Sequence, residues 1–180
     1  MTTWVALLRG VNVGGVTVRS AELAALFRDL GFDRVTTVLA SGNVRFEADA
    51  AASARADLTE TIERALGERF DYEAWIVLVT MRELDAAIAG FPFDAGDAGR
   101  QPYVVFCRDR AVREALAHTA EELESPDDLV QPGFGVVYWS PPKGRSVDTP
   151  FAKVLARSSY TGTTTTRNLR TLAKIAAAGP

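Results

Sequence analysis

The sequence predicts an α+β fold: an N-terminal split βαβ (ferredoxin-like) subdomain over residues 1–80, packed against a second α+β subdomain over residues 81–180. Three observations predict it. Apolar periodicity in the first 80 residues runs strand, helix, strand, strand, helix, strand, an order that lets four antiparallel strands carry two helices on one face. The remaining residues alternate between strand-like and helix-like runs without an obvious sequence repeat of the first half. No Gly/Ser-rich linker separates the halves near residue 80, so they are not expected to swing freely.

Trp4-Val5-Ala6-Leu7-Leu8 is a continuous apolar run, as a buried strand requires. Leu23, Leu26, Phe27 and Leu30 fall on one face of a helix over residues 20–31. Ser20 can cap its orphan amides, and Gly31 can end it. A strand follows over residues 35–39, then a tight Ser41-Gly42-Asn43 connection into Val44-Arg45-Phe46. Leu58, Ile62, Ala65 and Leu66 give a second helix its apolar stripe, and Ala74-Trp75-Ile76-Val77-Leu78-Val79 is the next strand.

Thr80-Met81-Arg82-Glu83 reads as a capping box opening a short helix that stops before Gly90 and Pro92. Residues 91–101 form a loop rich in Gly, Pro and Asp. Tyr103-Val104-Val105-Phe106-Cys107 is a strand, residues 110–119 are helical, and the five carboxylates between Glu121 and Asp128 are solvated. Val136-Val137-Tyr138-Trp139 is a further strand. Thr149-Pro150 starts a helix, because proline lacks an amide that the first turn would leave unbonded. The run from Thr161 to Asn168 is expected to be a polar linker into a last helix carrying Leu169, Leu172, Ala173 and Ala176.

The totals exclude several classes of protein. No apolar run approaches the roughly 20 residues that span a bilayer, and no secretory signal is expected. Cys107 is the single cysteine, so no intrachain disulfide can form; a cytoplasmic location is the expectation. No cofactor is implied. His118 is the single histidine, and no metal-binding spacing of Cys or His occurs. The net charge of −3 hides an asymmetry: the segment from Ser140 onward has seven basic residues and one acidic residue. That local excess suits an anion, docking onto acidic parts of the same chain, or a solvated surface.

Three segments are candidates for a site. Arg9-Gly10-Val11-Asn12-Val13-Gly14-Gly15 follows the first strand. It lacks the lysine of a phosphate-cradling P-loop and the glycine spacing of a dinucleotide fingerprint. It is either a structural turn or a binding loop in which Arg9 meets an oxyanion bidentately, Asn12 donates and accepts, and Gly14 and Gly15 allow close approach. Ser41 and Asn43 form a hairpin turn or supply uncharged donors and acceptors. Simple topology puts these two loops at opposite ends of the sheet. Thr166 or Asn168 can cap the last helix, where Arg167 and the exposed amides of the first turn favour an anion.

Leu7-Leu8-Arg9-Gly10-Val11-Asn12-Val13-Gly14-Gly15, Ala40-Ser41-Gly42-Asn43-Val44-Arg45-Phe46 and Thr164-Thr165-Thr166-Arg167-Asn168 resemble the three signatures of the bacterial DUF1697 proteins. The resemblance spans nearly the whole chain. It implies a two-subdomain α+β fold and names no activity or ligand. The family's last motif commonly continues with tryptophan, where this chain has Leu169. The functional expectation is a small phosphate or carboxylate bound by Arg9, Asn12, Gly14, Gly15, Ser41, Asn43, Thr166, Arg167 and Asn168, with or without a reaction. The alternatives are a nucleic-acid binding module using the basic C-terminal region and a non-catalytic interaction or scaffold protein.

Overall fold

In the computed structural model, which describes residues 1–12 and 16–179, the first sheet is built on β1 (Thr2–Arg9). It pairs antiparallel with β3 (Asn43–Ala48) on one side and β4 (Trp75–Thr80) on the other, and β2 (Asp33–Thr37) completes the order β2-β3-β1-β4. Helices α1 (Ser20–Asp29) and α2 (Arg55–Phe70) supply Leu23, Leu26, Phe27, Ile62 and Leu66 to a core with Trp4, Ala6, Leu8, Val44, Phe46, Ile76 and Leu78. These are alternate residues along each strand, as the two-residue pleat requires. Each fully buried large side chain contributes roughly 1.5–3 kcal/mol. The sheet's other face is also dry: Val5, Leu7, Val77 and Val79 are all buried.

The helix ends that the sequence marks follow their local chemistry with one exception. Gly31 ends α1 with a left-handed φ of +83°. Thr80 and Glu83 form the reciprocal box that opens α3 (Met81–Ala89): the Thr80 amide donates to Glu83 Oε2 at 2.8 Å, and the Glu83 amide donates to Thr80 Oγ1 at 3.3 Å. The exception is Ser20, which is the first residue inside α1; Arg19 precedes it with no side-chain cap.

The second sheet has the order β6-β7-β5-β8, from β5 (Tyr103–Cys107), β6 (Leu129–Pro132), β7 (Val136–Ser140) and β8 (Thr164–Asn168). Helix α4 (Arg110–Glu122) lies between β5 and β6 in sequence, and α5 (Pro150–Leu155) and α6 (Ser158–Thr161) lie between β7 and β8. Leu116, Phe151, Val154 and Tyr160 pack with Val105, Cys107, Val137 and Trp139. Two strands run against the sequence reading. β6 is four mostly exposed residues, too short and polar to signal itself. The threonine segment is an outer strand rather than a polar linker, with Thr164 and Thr165 buried. β-Branched threonine fits a pleated surface, and that propensity prevails here.

The two sheets share topology and register, although no sequence repeat is visible. Trp4 faces Phe46 and Thr80, while Tyr103 faces Trp139 and Asn168. Leu7 faces Asn43, and Phe106 faces Val136; Leu8 faces Ile76, and Cys107 faces Thr164. Counting from these pairs, Arg9 and Arg108 hold equivalent positions. Thr80 and Asn168 are equivalent too, and each opens a nine-residue helix, α3 and α7 (Leu169–Ala177).

By compactness the chain divides into Met1–Leu84 with Ala173–Pro180, and Asp85–Leu172. Helix α3 thus begins in the first unit and ends in the second, and α7 does the reverse. Within the first unit, Arg45 Nη1 donates to the Ala176 carbonyl at 3.1 Å and also to that of Ala178.

Candidate functional site

Antiparallel pairing of β1 with β3 sets the end of one beside the start of the other, so the Arg9 loop and the Ser41 loop meet at the same end of the first sheet. This corrects the expectation of opposite ends. A strand's exit lies next to its antiparallel neighbour's entry, whatever the length of chain between them.

The junction is tight. The Leu8 amide donates to the Gly42 carbonyl at 2.8 Å. A Cβ at Gly42 would lie 2.5 Å from Val11 Cγ2 and 2.9 Å from Leu8 Cβ, and its φ is +76°. Only glycine satisfies both the conformation and the space. Asn12, itself left-handed at φ +56°, stitches three segments together. Its Nδ2 donates to the Ala40 carbonyl at 2.5 Å and the Val18 carbonyl at 3.4 Å, and its Oδ1 accepts from the Val18 amide at 3.0 Å. Asn43 is fully buried; its Nδ2 donates to the Val38 carbonyl at 2.8 Å and to Ser41 Oγ at 2.9 Å. Arg9 is half-buried at the end of β1, facing Trp75 across the ladder, and burial pushes its pKa down. Its guanidinium still carries a full charge at neutral pH. Gly14 and Gly15 lie outside the described residues.

Left-handed residues concentrate here. Gly10, Asn12, Leu39 and Gly42 all have φ between +56° and +77°. Two of the four are not glycine, and Leu39 is a residue type that pays a steric penalty for that conformation. Leu39 is also 47% exposed. Periodicity places it in a strand, and only a requirement for a left-handed residue in the turn could have singled it out.

The third segment belongs to the second unit, whereas Arg9 belongs to the first. Arg167 is 8% exposed, and its Nη1 donates to Thr165 Oγ1 at 2.7 Å and to the Thr166 carbonyl at 3.1 Å. Asn168 Oδ1 accepts from the Arg170 amide at 2.9 Å, as a helix cap does. Thr164 Oγ1 donates to the Tyr160 carbonyl at 2.8 Å. Arg167 and these hydroxyls therefore brace β8 and its passage into α7.

No group of three or more His, Cys, Asp or Glu side chains among the described residues could hold a metal ion. Burial lifts the Cys107 thiol to about 12, far from a reactive thiolate. Among the described residues no helix is long and apolar enough to cross a membrane.

Two sheets of equal topology and register, each with its own helical layer, define a tandem ferredoxin-like α+β protein whose first unit carries an elaborated polar loop pair. The chain belongs to the DUF1697 family: the model described as "Protein of unknown function (DUF1697)" matches residues 1–138. It is similar to the solved structure of a conserved bacterial protein from Streptococcus pneumoniae, at 25% identity and a TM-score of 0.81, covering 98% of this chain and 97% of that one. No curated protein sequence matches the chain.

Proposed function

We propose that the protein binds a small phosphate- or carboxylate-bearing molecule at the paired loops that close one end of the first sheet, with Arg9 as its charged contact. The observation that carries this reading is the comparison of the two units. The second passes from β5 to α4 through Arg108 and Asp109 alone, with Asp109 Oδ1 accepting from the Val112 amide at 2.9 Å. The first inserts residues 10–19 at the equivalent point, between Arg9 and Ser20. The topology does not need that length, and long loops on a rigid scaffold are where binding residues gather.

In this reading Asn12, Ser41 and Asn43 hold the loops in shape, because the Asn12 and Asn43 amides donate to backbone carbonyls and Ser41 Oγ accepts from Asn43. Arg9 keeps its charge at neutral pH, and its planar guanidinium can meet an oxyanion with two parallel hydrogen bonds. Thr166, Arg167 and Asn168 act as framework for α7. The basic C-terminal region is also less available to nucleic acid than its count implies. Arg145 is paired with Asp127 at 2.7 Å and Asp148 at 3.2 Å, and Arg167 is turned onto its own strand. A cytoplasmic location fits the single, buried thiol.

The test is a thermal-shift titration with inorganic phosphate, acetate and chloride. Wild type is expected to gain stability with phosphate or acetate and not with chloride, and Arg9→Gln is expected to lose the gain while remaining folded. An equal gain in Arg9→Gln contradicts the reading.

A further inference from the structure

We infer that the end of α7, residues 173–179, is a strap on the first sheet that opens as one unit, with Arg45 as its latch. Strand pairing places it. Arg45 lies opposite Val5 on β1 and opposite Thr36 on β2, and residues directly opposite across a sheet share a face. That face is turned away from α1 and α2, whose core takes Trp4, Val44 and Phe46 from the same strands. Arg45 Nη1 donates to the Ala176 carbonyl at 3.1 Å and to that of Ala178, and Thr36 Oγ1 donates to the Gly179 carbonyl at 3.4 Å. The end of α7 therefore meets β3 and β2 on this face.

Its hold is light and concentrated at its far end. The helix enters the first unit at Ala173. Of residues 173–179, Ile175 alone is buried, and Ala173, Lys174, Ala177 and Gly179 are exposed. The last carbonyls of a helix have no amide partner within it. Arg45 meets two carbonyls there with a donor that keeps its charge at neutral pH. A segment with so little buried surface opens at a lower free energy than the core. Ordinary fraying loosens a helix residue by residue from its terminus. Here the tie sits at the terminus, so the segment stays down or leaves whole. Opening withdraws Ile175 and frees the Arg45 guanidinium of these two acceptors.

The experiment is amide hydrogen exchange, read residue by residue, on the full chain as wild type and as Arg45→Gln. In wild type, amides 175–178 are expected to exchange with one common protection, about a hundredfold or more below that of amides 5–8 in β1. Arg45→Gln is expected to speed amides 175–178 about ten- to hundredfold, the loss of hydrogen bonds from a charged donor, and to leave amides 5–8 unchanged. Equal protection of the two segments in wild type overturns the strap without any variant. A steady decline in protection toward residue 178 is fraying and overturns it too. Exchange of 175–178 that is unchanged in Arg45→Gln, or that rises with amides 5–8 by the same factor, overturns the role of Arg45.

Discussion

Asn12 Nδ2 donates to the carbonyl oxygen of Ala40 at 2.5 Å, across 28 residues of sequence. With Leu8 bonded to Gly42, that contact makes the loop leaving β1 and the loop entering β3 one structure. Removing it is expected to cost more than a surface hydrogen bond. Asn12→Ala loses the side-chain bonds to Ala40 and Val18 and keeps a left-handed φ, so urea unfolding should show a loss of about 2–4 kcal/mol. Asn12→Gly should lose about 1 kcal/mol less, because glycine meets +56° without strain. Equal losses would place the cost in the bonds alone.

Gly42 and Gly10 separate conformation from space. Both have φ near +77°, but a Cβ at Gly10 meets nothing within 4 Å, whereas one at Gly42 runs into Val11 and Leu8. Gly10→Ala is expected to cost about 1–2 kcal/mol from the backbone. Gly42→Ala should add about 1–3 kcal/mol of overpacking to that. Chemical denaturation of both variants reads the difference, and equal costs would mean that the loops separate easily.

Glu83 gives an acid-dependent term. Burial by itself would raise its pKa, but hydrogen bonds from Arg55 and Thr80 and the Arg55 charge outweigh it, and the carboxyl is held below its ordinary 4.5. Arg55 Nη2 reaches Oε1 at 2.7 Å and Oε2 at 2.8 Å. The native state thus binds fewer protons than the unfolded chain. The stabilisation is full above the unfolded pKa near 4.5 and is lost as pH falls through the lower folded value. Glu83→Gln is expected to be less stable than wild type at pH 6, and the gap should narrow below pH 4. A gap that is constant from pH 6 to pH 3 would contradict the assignment.

Cys107 tests the second core. It is buried beside Val105, Val137 and Trp139, and its pKa is pushed up to about 12 by desolvation. Iodoacetamide at pH 8 is expected to leave the folded protein unmodified and to label it at a rate that follows unfolding as urea rises. Fast labelling without urea would mean that α4 and β5 part readily.

The first unit was legible because its residues speak locally. Leu23 and Phe27 mark a helix, Trp4 through Leu8 a buried strand, and Thr80 with Glu83 a cap. The second unit hid its symmetry because equivalent positions share burial and register but not identity: Trp4 answers to Tyr103, and Phe46 to Trp139. β8 was missed because a threonine run reads as polar while its backbone pairs with β5. In the candidate site the residues were legible and their roles were not. Composition points to Asn12 and Asn43 as donors but cannot show that their amides are bonded to Ala40 and Val38. The strain at Leu39 exists only once the hairpin is closed.

Amide chemical-shift mapping of the protein with inorganic phosphate, on wild type and Arg9→Gln, tests the central claim most directly. The loop-pair reading predicts saturable shifts centred on residues 9–12 and 39–43 in wild type, and their loss in Arg9→Gln with the remaining spectrum unchanged. Shifts centred on Arg167 and the start of α7, or the same loop shifts in Arg9→Gln, would contradict it.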